Sequence, residues 1–472
     1  MKRKNRDKAQ EPGSPASPEP VKKKKKVVSQ GVDLAVLRRN ISNSLRSTLQ
    51  VIRTESKDES YAVSGPEDMI VIGIPIPFPM EYLTQSRVLP LGGRITSIVG
   101  RTHANKTTMV YEFFRWLGSI GQAYLIEAED KSSPMLGTSV IGYPDEGSPV
   151  DWGRVRADSN DGWQELTQKL IEQTSEQMLK KAPGQKSPMG RVYPVMIAID
   201  SLSGKLARAT MEKIEERGFA DREHPLEALK NTFFLKAIPS QFESLPMHLI
   251  VTNQLKEKKK EGPYAGMEQT KAGGVQMDFQ QTFEFQLKRI RRSVAVDNEH
   301  PGGFEIVTNE IRVECRKSGL GGDLKSVVVP YTYWAARSPA DGSVRRYGRW
   351  GWEEATIDVL LQAGKDQGEA ADDVEISGKG VRAATKAGKV REIVDIGKLP
   401  KAQLYWSKRL GVTKDAAVSK RKLGQIFCEN EQVRQEVRDL FGIMRWHLFQ
   451  PGVDFLEQRN RILNDIQARV PV

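Results

Sequence analysis

Hydrophobic positions in this chain come in short, nearly unbroken runs separated by helix-like stretches. The runs are Met69 to Ile76, Ile95 to Val99, Gly121 to Ala128, Val192 to Ile199 and His248 to Thr252. Apolar runs of this length, without polar alternation, predict strands buried on both faces. Helical patterns follow several of them: Met109 to Leu117, Trp163 to Leu179 and Leu226 to Phe242. Strands alternating with helices predict an α/β fold with a mainly parallel central sheet flanked by helices. Later runs, Gln281 to Leu287, Glu305 to Glu314 and Lys325 to Tyr331, have fewer helices between them and predict antiparallel strands along one edge. Pro75, Pro77 and Pro79 are expected to stop regular structure before the second run.

The flanks follow other patterns. Asp33 to Arg53 places Leu34, Val36, Leu37, Ile41, Leu45, Leu49 and Ile52 on one helical stripe. Residues 364–389 are rich in Gly, Ala, Asp and Lys and predict a linker. Residues 390–472 show helical spacing and predict a small α-helical C-terminal domain able to fold by itself. The expected order is a disordered basic tail (1–30), an amphipathic helix and linker (31–65), the α/β core (66–363), the linker and the helical domain.

Charge changes the picture only at the ends. Residues 1–30 hold ten Lys/Arg against three acids, and residues 391–472 hold fifteen against ten. These two segments account for the whole net charge of +12, so the middle is neutral. A basic bias suggests a polyanionic partner. The run Lys22 to Lys26 fits a nuclear-import or nucleic-acid patch, or a solvated tail; without an import role the expected compartment is cytoplasmic. No apolar run approaches the ~18 residues of a membrane span, so no membrane partner is expected. Two cysteines and five scattered histidines give neither a disulfide framework nor a zinc spacing.

The candidate chemistry sits where apolar runs end. After Ile95 to Val99 come Gly100, Arg101, Thr102, His103, Ala104, Asn105, Lys106, Thr107 and Thr108, followed by a helical pattern. Strand, loop and helix in that order make a phosphate-binding loop, with Asn105 where glycine is usual. Lys106 would reach the β- and γ-phosphates, and the Thr107 hydroxyl would join the shell of Mg²⁺. Asn is one of the few residues that tolerate the left-handed backbone that glycine supplies there. Asp200 closes the run Met196 to Ile199 and is the expected carboxylate for the same metal. Glu129 follows the strand ending at Ala128 and is a candidate general base. Lys256 to Gly274 is basic, glycine-rich and without apolar period; its Lys256, Lys258, Lys259, Lys260, Tyr264, Lys271, Gly273 and Gly274 are candidates for contact with a nucleic-acid backbone.

In this order the motifs resemble those of the RecA-type recombinases, including the UvsX-like phage branch. Leu91-Gly92-Gly93-Arg94-Ile95, Lys106-Thr107-Thr108, the run Tyr124 to Glu129, Ile199-Asp200-Ser201, Thr252-Asn253-Gln254, Thr270 to Gly274 and Ile311 to Lys317 carry the likeness, over roughly residues 70–335. The resemblance implies a RecA-like P-loop core that binds ATP and Mg²⁺ between neighbouring subunits of a filament. It implies Glu129 as the catalytic carboxylate and Gln254 as the γ-phosphate sensor. Lys317, with Arg316, would reach the neighbour's nucleotide. Met211 to Pro225 and Lys256 to Gly274 would be two DNA-binding loops. The implied activity is DNA-dependent ATP hydrolysis that drives strand exchange in recombination and repair. The implied partners are single-stranded DNA, duplex DNA, further copies of the chain, and single-strand-binding and mediator proteins. Two alternatives stand beside it: a hexameric ring helicase on the same core, and a non-hydrolysing DNA-binding paralogue, which Asn105 favours.

Overall fold

Strand residues in this computed structural model bury their side chains alternately against two layers. On one face Ile98, Ala123, Leu125, Met196, Ala198 and Ile250 share a core cluster. On the other face Ile95, Ile126, Val195, Ile197, Ile199, Leu249 and Val251 share a second. Side chains alternate along a strand, so a sheet covered twice requires apolar residues at every position. The structure describes residues 70–469 apart from 129–133, 149, 158, 180–188, 203–233, 238, 240–241, 260–266, 272–279, 298–303, 321–324, 370–373, 378–379, 385–389 and 394–419. The tail, the early amphipathic helix and most of the expected helix over 226–242 lie outside the described residues.

The chain from Pro66 to Val472 forms one unit by its contacts. It begins with β1 (Ile72–Pro75), α1 (Phe78–Thr84) and β2 (Val88–Pro90). The sheet strands and helices that follow are β3 (Arg94–Gly100), α2 (Lys106–Leu117), β4 (Gln122–Glu127), α3 (Pro134–Ile141), β5 (Asp151–Arg156), α4 (Asn160–Leu179), β6 (Val195–Asp200) and β7 (Met247–Lys259). Next come β8 (Met267–Lys271), β9 (Phe283–Asp297), β10 (Phe304–Ser318), β11 (Ser326–Arg337) and β12 (Val344–Trp350). The remainder is α5 (Trp352–Glu369), β13 (Val374–Ser377), β14 (Gly380–Ala384), β15 (Val390–Ile393), α6 (Lys420–Glu429), α7 (Glu431–Phe441), β16 (His447–Leu448) and α8 (Phe455–Arg469).

The main sheet has ten strands in the order β12-β11-β10-β9-β3-β7-β6-β4-β5, with β8 paired to β7 off that path. From β9 to β5 neighbours run parallel. β10, β11 and β12 extend one edge antiparallel. These edge strands outrun the apolar stretches that announced them, and β12 was not anticipated at all. Their outer halves are Arg- and Tyr-rich, and a strand held by its ladder on a half-exposed sheet needs no apolar run. α2 buries Met109, Val110, Phe113, Phe114 and Leu117, one face of a helix, against the sheet. Among the described residues no helix is long and apolar enough to cross a membrane.

Three boundaries differ from the sequence expectations. Pro77 and Pro79 do not stop regular structure: they sit at the start of α1, where a missing N–H costs nothing. The span 364–389, expected as a linker, begins inside α5 and carries β13 and β14. Over the expected helical domain, 390–393 is instead the strand β15 and 394–419 lie outside the described residues; the three helices beyond them are not set apart, since Leu423, Phe427, Val433, Val437, Phe449 and Phe455 are buried in the same cluster as α1 and α2. The Phe427 ring meets Phe78 edge-on at 5.0 Å. Gly424 brings α6 so close to α5 that a Cβ there would lie 2.0 Å from the Glu353 carbonyl oxygen. β16 pairs in parallel with β1, so the end of the chain completes the sheet that its beginning starts.

Candidate functional site

The register of the parallel strands decides which residues meet. Gly100 pairs with Gln254 across β3 and β7, and Glu127 pairs with Asp200 across β4 and β6. The carboxyl ends of β3, β4, β6 and the buried part of β7 therefore lie at one end of the sheet, where open α/β folds hold their ligands.

The loop between β3 and α2 has the shape a phosphate needs. Asn105 sits at φ 64° and ψ 31°, and His103 also has positive φ, at 63°. The left-handed region thus occurs at the position where glycine is usual, and Asn meets it at small cost. A Cβ on Gly100 would come 2.7 Å from the Leu287 carbonyl oxygen of β9, so glycine is required where the strand enters the loop. Lys106 Nζ donates to the carbonyls of Gly100 at 3.1 Å and Arg101 at 3.0 Å, which folds the ammonium across the loop. α2 begins at Lys106, and the first turn of a helix presents N–H groups without intrahelical partners, together with the positive end of its dipole. Thr108 turns the other way, its hydroxyl donating to the Asn105 carbonyl at 2.9 Å.

Two residues 93 positions apart then meet. Thr107 Oγ1 donates to Asp200 Oδ2 at 2.6 Å. The other carboxylate oxygen, Oδ1, accepts from the Thr252 hydroxyl of β7. A hydroxyl and a buried carboxylate are hard oxygen donors of the kind Mg²⁺ takes. No three His, Cys, Asp or Glu side chains cluster as a metal site among the described residues, so such an ion would complete its shell with phosphate and water. The residues present fit that group.

The remaining candidates divide. Gln254 is half-buried, its N–H held by Asn253 Oδ1 at 2.9 Å, and it sits level with Gly100. Glu129 lies outside the described residues; the preceding Ala128 N–H donates to the Asp200 carbonyl at 2.7 Å. Lys317 and Arg316 are not brought to this loop. Lys317 pairs with Glu284, which is level with Ser97, three residues short of Gly100, and Arg316 pairs with Glu314 at 3.2 Å. Lys256, Lys258 and Lys259 are not in an irregular loop: β7 continues through them and pairs antiparallel with β8, which ends at Lys271. A ribbon held by its backbone ladder needs no apolar alternation, so side-chain pattern does not mark it. Lys260, Tyr264, Gly273, Gly274 and the stretch Met211 to Pro225 lie outside the described residues.

One charged group escaped the sequence reading. Glu127, the last residue of β4, is buried beside Asp200 and paired with Arg154, with Arg156 at 3.8 Å. Its signal was the alternation Arg154, Arg156 on a neighbouring strand, which places both guanidinium groups on one face.

A scan of the chain against protein-family models finds no match, and a search of curated proteins finds none either.

Proposed function

We propose that the chain is a nucleic-acid-dependent ATPase of the RecA type, which assembles on single-stranded DNA and promotes strand exchange. The observation that carries the nucleotide part is the Thr107–Asp200 hydrogen bond at 2.6 Å beside the left-handed Asn105. It joins a P-loop hydroxyl to a strand-end carboxylate, the pair that Mg·ATP requires. The order of strand ends supports the same reading, since Gly100, Gln254, Asp200 and the segment leading to Glu129 come from four adjacent strands.

When bound, ATP supplies the phosphoryl group and Mg²⁺ offsets its charge. Lys106 and the first turn of α2 would hold the phosphates. Thr107 and Asp200 would hold the metal. Gln254 would sense the terminal phosphate and open the ribbon of β7 and β8, and Glu129 would be the general base. The ribbon's lysines would bind the DNA backbone through counterion release, so affinity should fall steeply with salt. Arg316 and Lys317, away from their own loop, would serve a neighbour's nucleotide.

Titration of labelled single-stranded DNA at two salt levels, with and without ATP, tests the coupling. Electron microscopy with a slowly hydrolysed analogue separates filaments from closed hexamers. ATP-independent DNA binding sinks the recombinase reading, and hexamers alone favour the helicase. Phosphate release by wild type, Lys106→Ala and Glu129→Gln separates an enzyme from a binding module: equal inactivity leaves only binding.

A further inference from the structure

A second concavity shares none of residues 100–108. A cleft of about 530 Å³ opens between α1, α2, the end of β12, α5 and α6. That size is typical of small-molecule pockets, roughly 300–1,000 Å³. Four aromatic rings, Phe78, Trp116, Trp350 and Trp352, line it among polar and charged side chains. Trp350 and Trp352 stack with centroids 5.8 Å apart and planes 15° apart, and Trp116 meets Trp352 edge-on at 5.8 Å.

Glu112 lines this cleft and is 2% exposed. Its Oε1 accepts the indole N–H of Trp352 at 2.9 Å and of Trp116 at 3.2 Å. Its Oε2 is buried and accepts no hydrogen bond. Oε2 instead faces one cation, Arg115, whose Nη1 lies 3.6 Å away and whose side chain is 45% exposed. Burial pushes the Glu112 carboxyl above its ordinary range. Orienting two indoles needs only Oε1, and a glutamine would do it equally well. The second oxygen adds desolvation cost and no packing. An acceptor held only by a long contact to a half-exposed arginine, beside three indoles, suits a closer donor that displaces that arginine.

We propose that this cleft binds a small organic cation, an amidine, guanidine or amine on a flat apolar body, with Glu112 Oε2 as its anchor. Indole faces attract cations. Glu429 adds negative charge to the lining, and Arg349, the other cation there, is tied to Glu353 at 3.2 Å and to Glu354. An anion would meet Glu112, and a neutral ring would leave Oε2 unmet. Nucleotide binding is not needed for this site, so it stands or falls apart from the ATPase reading.

Calorimetric titration of the full chain with benzamidine, benzamide and benzoate, flat probes of similar shape and different charge, tests it. Benzamidine should bind saturably and at least about tenfold tighter than benzamide, with benzoate weakest. Glu112→Gln should bring benzamidine down to the level of benzamide. In the wild type, benzamidine should also slow alkylation of Cys428, a free thiol that lines the cleft. Equal affinity for the three probes, no saturable binding, indifference to Glu112→Gln, or an unprotected Cys428 overturns the proposal. If melting shows that Glu112→Gln is unfolded, the charge series and the Cys428 protection in the wild type decide.

Discussion

Asn105 offers the sharpest test of the nucleotide loop. Its backbone is left-handed, at φ 64° and ψ 31°, and its side chain caps no N–H of α2. Alanine would keep the Cβ and lose the tolerance that Asn has for this region, at a cost of about 1 kcal/mol. Glycine would remove that strain but give the unfolded chain more freedom, a loss of similar size, about 0.5–1 kcal/mol, so stability should stay near wild type. Nucleotide affinity follows the fraction of molecules whose loop is already shaped for phosphate. Asn105→Ala should therefore weaken binding of a fluorescent ATP analogue about fivefold, and Asn105→Gly should change it less than about twofold. Denaturant unfolding measures the stability change on the same samples. Wild-type affinity and stability in Asn105→Ala would refute the claim that this conformation shapes the site. A glycine variant weaker than the alanine variant would show that the asparagine side chain, and not its backbone, is what the loop uses.

Asp200→Asn keeps the shape but removes the charge that holds the Thr107 hydroxyl; the Mg²⁺-dependent part of nucleotide affinity should fall at least about tenfold, by calorimetry with and without the ion. Arg438 donates from Nε and Nη2 to the two oxygens of buried Glu81, both at 2.6 Å, and so ties α7 to α1. Arg438→Met should cost about 3–5 kcal/mol in urea unfolding by stranding that carboxylate, and adding Glu81→Met should recover most of it. Gly424→Ala places a methyl against the Glu353 carbonyl and should destabilise by about 1–3 kcal/mol, seen as a lower melting temperature. A melting temperature unchanged by that substitution would mean that α6 does not pack as closely on α5 as described.

Much of the sheet was legible because burial on both faces leaves one kind of signal. Val195 to Ile199 reads as a strand since both layers demand apolar groups. The site was legible where a strand end and a motif coincide, as at Asp200 and Lys106. Other features left no such mark. Nothing in the local sequence marks Glu127, whose role is set by Arg154 and Arg156 on the neighbouring strand. The ribbon of β7 and β8 is stabilised by a backbone ladder, which side-chain pattern does not record. The helical C-terminus shows its own amphipathic spacing, but not that its apolar faces close on Phe78 and Gly92 as well as on one another. Partner choice between apolar surfaces is set by shape, and Gly424 shows it: only the absent side chain lets α6 approach.

A sheet apolar on both faces poses a further question, because burial alone does not pin its register. His248 supplies a pin. It is fully buried on β7, with Nδ1 2.6 Å from the Pro90 carbonyl and Nε2 2.9 Å from Thr96 Oγ1 on β3. The carbonyl can only accept, so Nδ1 carries the proton and Nε2 accepts from the threonine. One tautomer, neutral, satisfies both partners in one register, and that register sets Gln254 level with Gly100. Burial lowers the His248 pKa from 6.5 to about 4. A base held below its unfolded pKa stabilises the fold above pH 6.5, and that stability drains as pH falls through about 4, because the unfolded chain takes up the proton first. The gap is worth about 3 kcal/mol. Urea unfolding across this range should show wild type losing that much relative to His248→Gln, so that the two curves converge as acid is added. If the curves stay parallel, the histidine is not held neutral, and the register that assembles the proposed nucleotide site rests on something else.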